Sequence, residues 1–127
     1  MPGRHFNSRM GRGRGMRLRL IDPIILLSLH QEPAHGYSLM EALNKYGLVQ
    51  IDISVLYRTL HQMEDMGWVT SFQEQESSQG PPRRVYHITT DGENVLAQYI
   101  SDLEMRKDAM QRIIGDYQEH IKGNHTD

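Results

Sequence analysis

From Leu96 to Ile121, apolar residues recur at a spacing that only a helix brings to one side. Leu96, Ile100, Leu103, Met110, Ile114, Tyr117 and Ile121 follow at steps of four, three, seven, four, three and four, with Lys107 inside the step of seven. That is a heptad seam. A chain of 127 residues makes one domain, or one domain with an appendage, and a body that small has no interior able to hide such a stripe. The seam therefore predicts a dimerisation helix and a second copy of the chain against it.

Upstream, the same reasoning gives three shorter helices and a hairpin. Asp22 can cap a helix, and Pro23 at its first position would lose no hydrogen bond. Leu20, Ile24, Leu27 and Ile25 then form an apolar stripe that ends near Gln31, before Pro33. A second helix is predicted from about Tyr37 to Tyr46, with Leu39, Met40, Leu43 and Tyr46 buried and Gly47 as its stop. A third starts near Asp52 or Ser54 and ends at Gly67, its core face marked by Leu56, Leu60, Met63 and Met66 or Trp68. Trp68 to Phe72 and Arg84 to Ile88 form a hairpin whose polar connection carries the stiffening pair Pro81-Pro82. Thr89 is placed to cap the final helix, which runs to about Ile121 with Gly92 as an early weak point. Helix, helix, helix, two-stranded wing, helix is the order of a winged helix-turn-helix domain with a dimerisation helix appended. The fold class is mainly α with a small β-hairpin.

The formal charge of -2 hides an asymmetry. Arg4, Arg9, Arg12, Arg14, Arg17 and Arg19 crowd the first 20 residues without a single acid, whereas the rest of the chain is acidic. A glycine- and arginine-rich stretch has little to bury and is expected to be disordered in the free protein. Such an arm suits a phosphate backbone or a minor groove, with Arg12, Arg14 and Arg17 as its contacts. The absence of cysteine excludes disulfides, thiolate metal sites and cysteine nucleophiles. No apolar run is long enough to cross a membrane, and the N-terminus lacks the apolar core of a secretory signal, so the expected location is cytoplasmic.

Opposite its core face, the third helix carries Ser54, Tyr57, Arg58, His61, Gln62 and Asp65. Hydrogen-bonding and cationic groups gather toward its N-terminus, where a recognition helix places its base-reading residues. Arginine can grip guanine O6 and N7 with both arms, and tyrosine more often holds a phosphate. Arg83 and Arg84 at the wing are candidates for backbone or minor-groove contact, and Ser38 for a phosphate held at the start of the second helix.

Three segments together resemble the PadR family of bacterial transcriptional regulators. Ile24-Ile25-Leu26-Leu27-Ser28-Leu29 with His35-Gly36-Tyr37-Ser38-Leu39 resembles its opening helix and His-Gly-Tyr turn. Ser54-Val55-Leu56-Tyr57-Arg58-Thr59-Leu60, followed by Met63-Glu64-Asp65-Met66-Gly67-Trp68-Val69, is similar to its recognition helix and the segment after it. Gly80-Pro81-Pro82-Arg83-Arg84-Val85-Tyr86-His87-Ile88-Thr89 with Gly92 resembles the wing and the opening of the last helix. Arg58 stands where the family often has proline, and the arginine-rich arm is not a general family feature. The resemblance implies a DNA-binding repressor, a homodimer on a roughly palindromic operator, and release by a small, often aromatic, effector.

The remaining residue types point elsewhere only faintly. Seven histidines include no pair at the four-residue spacing of two ligands on one helix, so no metal is expected. Trp68, Tyr99 and Met110 are candidates for an effector pocket. No catalytic motif is present, and no cofactor is expected, so the chain does not read as an enzyme. The expected organisation is a basic arm over 1–17, a winged helix over 18–90, a dimerisation helix over 91–122 and a disordered tail over 123–127. Two alternatives stand beside the operator-binding reading. The acidic body could be a protein-interaction module, or the arm alone could bind nucleic acid.

Overall fold

The computed structural model describes residues 15–74 and 83–126. In chain order these form helix α1 (Gly15–Gln31), strand β1 (Ala34–His35), helix α2 (Gly36–Lys45), helix α3 (Ile53–Asp65), strands β2 (Val69–Glu74) and β3 (Arg83–Ile88), and helix α4 (Thr90–Thr126). The chain divides into two compact units, residues 1–96 and 97–127. The expected class, mainly α with a small β-hairpin, is the one observed, with a third short strand added to the hairpin.

Helix α1 corrects the expected start. Pro23 lies inside the helix, not at its head, so one interior backbone bond is missing. What carries the helix past it is burial on both sides of the proline. Ile21, Ile24, Ile25, Leu26 and Leu29 are buried, with Ile21, Ile25 and Leu29 one above another at four-residue steps. Leu20, expected on the core stripe, is instead exposed.

Helices α2 and α3 end alike. Gly47 and Gly67 adopt positive φ of 92° and 81°, which a side chain would resist. Around them, Leu48 and Trp68 N–H donate to the carbonyls of Leu43 and Met63, at 3.0 and 2.9 Å. Gly47 and Gly67 N–H donate to those of Asn44 and Glu64, both at 3.0 Å. These are Schellman motifs, and they satisfy carbonyls that the helix leaves without partners. Leu39 and Leu43 of α2 pack in the core with Leu56, Leu60 and Met63 of α3. Tyr46 was expected on the buried side. It sits at the C-cap of α2, where the chain turns away, and is half exposed with the Lys45 ammonium 5.6 Å from its ring centre.

The wing is a three-stranded antiparallel sheet in the order β1-β3-β2, one strand more than the expected hairpin. The extra strand is the dipeptide Ala34–His35, paired with Tyr86 and Val85, and two residues are too few for an alternating pattern to reveal. Pairing of Ser71 with Tyr86 and of Gln73 with Arg84 fixes the register of β2 on β3. Val69, Ser71, Arg84 and Tyr86 therefore share one face of the sheet, and Phe72, Glu74, Arg83 and His87 the other. On that second face the rings of Phe72 and His87 meet edge to face at 5.3 Å, and His35 Nε2 lies 3.1 Å from Glu74 Oε1.

Thr89 caps α4 as expected: its Oγ1 accepts from Gly92 N–H at 3.0 Å. The same hydroxyl donates to the carbonyls of Gly67 at 2.7 Å and Trp68 at 3.0 Å, so the start of α4 is tied to the end of α3. Gly92 is a close-packing position, because a Cβ there would strike the Trp68 carbonyl and approach Ile88 Cγ1 to 2.7 Å. His30 Nδ1, 2.7 Å from Glu93 Oε1, adds a link from α1 to the first turn of α4. The helix continues to Thr126, past the Ile121 expected from the seam.

Candidate nucleic-acid interface

The helix-turn-helix consists of α2, the connection 46–52 and α3. Asp52 occupies the N-cap of α3, its carbonyl accepting from Val55 N–H at 2.9 Å, with no capping bond from its side chain. With Leu56, Leu60 and Met63 facing inward, the opposite side of the helix presents Ser54, Tyr57, Arg58 and His61, all exposed. The His61 ring lies 3.9 Å from Asp65 Oδ2, one turn on. Ile53, the first residue of this helix and not one of the candidates marked by the helical period, has a side chain that is 46% exposed. Exposed aliphatic surface at the head of such a helix is what a thymine methyl packs against. The signal was its place next to the cap.

Tyr57 is more constrained than a free surface tyrosine. Its ring lies over Gly36, and a Cβ on that glycine would come within 2.7 Å of Tyr57 Cζ. The head of α2 thus meets the hydroxyl end of a side chain from α3 at one glycine, and Tyr37 and Ser38, which follow that glycine, are exposed. No acid occupies the first turn of α2, and the Glu74 carboxylate at its head is engaged with the N-cap residue His35 at 3.1 Å.

The two wing arginines, equivalent in the sequence reading, separate in the structure. Arg83 lies on the sheet face with Glu74 and Phe72, and Arg84 on the face with Ser71 and Tyr86. Arg84 Nη1 donates to Ser71 Oγ at 3.0 Å, and Ser71 Oγ donates to Glu64 Oε2 at 2.5 Å. Tyr86, buried beside them, has its pKa pushed above the ordinary tyrosine value. Burial is the main cause, and the nearby Tyr57 and Glu64 add to it against an opposing pull from Arg84. Neither Glu64 nor Ser71 figured among the sequence candidates. Strand alternation would have placed Ser71 beside Arg84 had the register been known.

The other candidates fall as follows. Arg12 and Arg14 lie outside the described residues, and Arg17 falls in the first turn of α1. Trp68 is half-buried in the first unit. Tyr99 and Met110 stand eleven residues apart on one helix, about 16 Å, so they do not converge on one small molecule within a chain. Of the seam residues, Leu96 is 6% exposed and belongs to the core of the first unit, so it has no surface left for a partner. Ile100, Met110, Ile114, Tyr117 and Ile121, all in the second unit, are exposed and Leu103 is half-buried. Among the described residues no group of three histidines or acids is arranged to hold a metal ion, and no helix is long and apolar enough to cross a membrane.

Comparison with known proteins agrees with this geometry. A search of curated proteins returns no match. Among solved structures, the chain is similar to a PadR family transcriptional regulator from Eggerthella lenta DSM 2243, at 27% identity and a TM-score of 0.62, over 90% of this chain and 96% of that one. A PadR-like transcriptional regulator from Bacillus cereus strain ATCC 14579 matches at 27% identity and a TM-score of 0.66, over 75% and 91% of the two chains. A PadR family transcription regulator from Clostridium difficile R20291 shares the fold at 22% identity and a TM-score of 0.66, over 74% and 97%. The model of the transcriptional regulator PadR-like family matches residues 25–98, more than half of the sequence. With an exposed polar face on α3, a wing in the same unit and this match across both, the chain belongs to the PadR-like family of DNA-binding transcriptional regulators.

Proposed function

We propose that this protein is an operator-specific repressor that acts as a homodimer in the cytoplasm. The observation that carries the reading is the division of α3: Leu56, Leu60 and Met63 fully buried on one side, Ser54, Tyr57, Arg58 and His61 exposed on the other. A helix so divided has its outer face free for a major groove. Arg58 is its base-reading cation, Tyr57 and Ser38 hold phosphates, and Ile53 meets a thymine methyl. Arg83 and Arg84 reach the flanking backbone, and Arg12, Arg14 and Arg17 add affinity that depends little on sequence.

The homodimer rests on the exposed apolar residues of α4 from Ile100 onward, which a second copy would cover. Two copies imply two half-sites and a pseudo-palindromic operator. Release by a small aromatic effector completes the reading. Because Tyr99 and Met110 lie so far apart, such a pocket would need residues from both copies.

The test is a fluorescence titration of the protein against its own promoter and a scrambled duplex at two salt concentrations. Tighter binding to the promoter that survives the higher salt is the expected result, and Arg58→Ala should remove about 1–3 kcal/mol of that preference. Equal and salt-sensitive binding to both duplexes would leave the basic arm as the nucleic-acid element. Absence of binding would favour a protein-interaction module, which the acidic charge of residues 21–127 would suit.

A further inference from the structure

The groups around Arg84 form a chain of contacts that starts on the recognition helix and ends at the wing. Glu64 lies on the last full turn of α3, Ser71 in the middle of β2 and Arg84 near the start of β3. The Ser71 hydroxyl gives its proton to Glu64 Oε2 at 2.5 Å and so has lone pairs left for Arg84 Nη1, at 3.0 Å. Glu64 and Ser71 are half-buried and the Arg84 side chain is exposed. The anchor is therefore sheltered while the cation is presented. A carboxylate acceptor polarises the hydroxyl and strengthens its hold on the guanidinium. Tyr86, paired with Ser71 across the ladder and buried, shares the sheet face of Ser71 and Arg84.

We infer that Glu64 and Ser71 are positioning residues for DNA binding: they hold Arg84 in the orientation in which it meets the DNA backbone, and lock the wing to the reading helix. This rests on the proposed wing contact of Arg84. A free arginine loses rotamer entropy when it docks, and one already fixed loses less. The bond to Ser71 takes one of the five N–H groups of the guanidinium. Arg83, on the opposite face of the sheet, has no place in this relay. Only one of two adjacent arginines is thus oriented from the recognition helix.

The test is a double-mutant cycle on operator binding, read as a function of salt, with Ser71→Ala, Glu64→Gln, Arg84→Ala and the two pairs that include Arg84→Ala. Arg84→Ala should weaken binding and reduce the salt slope by about one. Ser71→Ala and Glu64→Gln should each weaken binding about fivefold while Arg84 is present, and by little once it is gone. A purely structural role would lower the melting temperature and weaken binding equally in both backgrounds. That additive result overturns the inference and leaves the wing contact intact. Arg84→Ala without effect on affinity or salt slope, beside an Arg58→Ala that still relaxes specificity, removes the wing contact and the inference together but keeps the reading helix. Ser71→Thr retains the hydroxyl and should restore the coupling, which separates loss of the relay from a change in strand packing.

Discussion

The winged unit and the helix beyond it treat their apolar residues in opposite ways. Among the described residues from Ile21 to Leu96, thirteen hydrophobic side chains are buried, eight of them almost completely. Among the described residues after Leu96 none is buried, and Ile100, Met105, Met110, Ile113, Ile114, Tyr117 and Ile121 are exposed by between 39 and 67%. Both segments are rich in apolar residues at helical spacing, so periodicity alone does not distinguish them. The difference lies in what surrounds them. In the first unit each helix faces another helix or the sheet, whereas a single helix has nothing of its own to fold against. The same kind of stripe becomes a core in one region and a candidate interface in the other.

The strongest way to break this contrast is to cut into both stripes. Leu56→Ala or Leu60→Ala should lower the unfolding free energy by about 2–5 kcal/mol in urea titrations, because a cavity is left in a closed core. Ile114→Ala, measured on dilute chains, should leave that transition in place. If the two substitutions proved equally costly at every protein concentration, the second stripe would also be an internal core.

Next in size is the seam itself. A charge at Ile114 together with one at Tyr117 (Ile114→Glu with Tyr117→Glu) should shift sedimentation to the monomer, since two unpaired carboxylates would be desolvated in the interface. The melting of the winged unit should be preserved. A dimer that persists would place the interface elsewhere on the chain.

The joints of the winged unit should respond on a smaller scale. Gly67→Ala, at a φ of 81°, should cost about 1–2 kcal/mol, and Thr89→Ala, which removes the cap of α4, about 0.5–2 kcal/mol. Differential scanning calorimetry of the two variants would check both. If the contrast between the regions holds, neither substitution should change the proposed self-association through α4.

The smallest effects concern charge. Because Tyr86 binds its proton more tightly in the folded state, the unfolded chain ionises first as pH rises. Its stabilising contribution is then complete below about pH 10 and declines above it. Stability measured from pH 8 to 11 should fall less steeply in Tyr86→Phe. On α4, Asp102 and Arg106 are 3.1 Å apart but largely exposed, so removing the pair should change stability by less than about 0.5 kcal/mol.

Much of this architecture could be read from residue order. Gly47 and Gly67 marked two helix ends, Thr89 marked a helix start, and Leu56, Leu60 and Met63 identified the inner face of α3. These are local signals, each set by backbone conformation or by a period that a few residues display. Asp22-Pro23 misled for the opposite reason: a valid local start was overridden by the burial of Ile21 against distant residues. The short strand Ala34–His35 exists only because β3 lies alongside it.

The candidate interface divides in the same way. Tyr57, Arg58 and His61 followed from the helical period, as residues opposite a core face. The contact of Tyr57 with Gly36, the separation of Arg83 from Arg84 and the Glu64–Ser71–Arg84 relay depended on how strands and helices come together. A one-residue change of register would have exchanged the two arginines. By itself the sequence determined which segments are helices, where most of them stop and which faces are apolar, because propensity, capping and period act over a few residues. Only the tertiary structure decided which apolar face is already covered and which arginine is held, because both are set by neighbours far away along the chain.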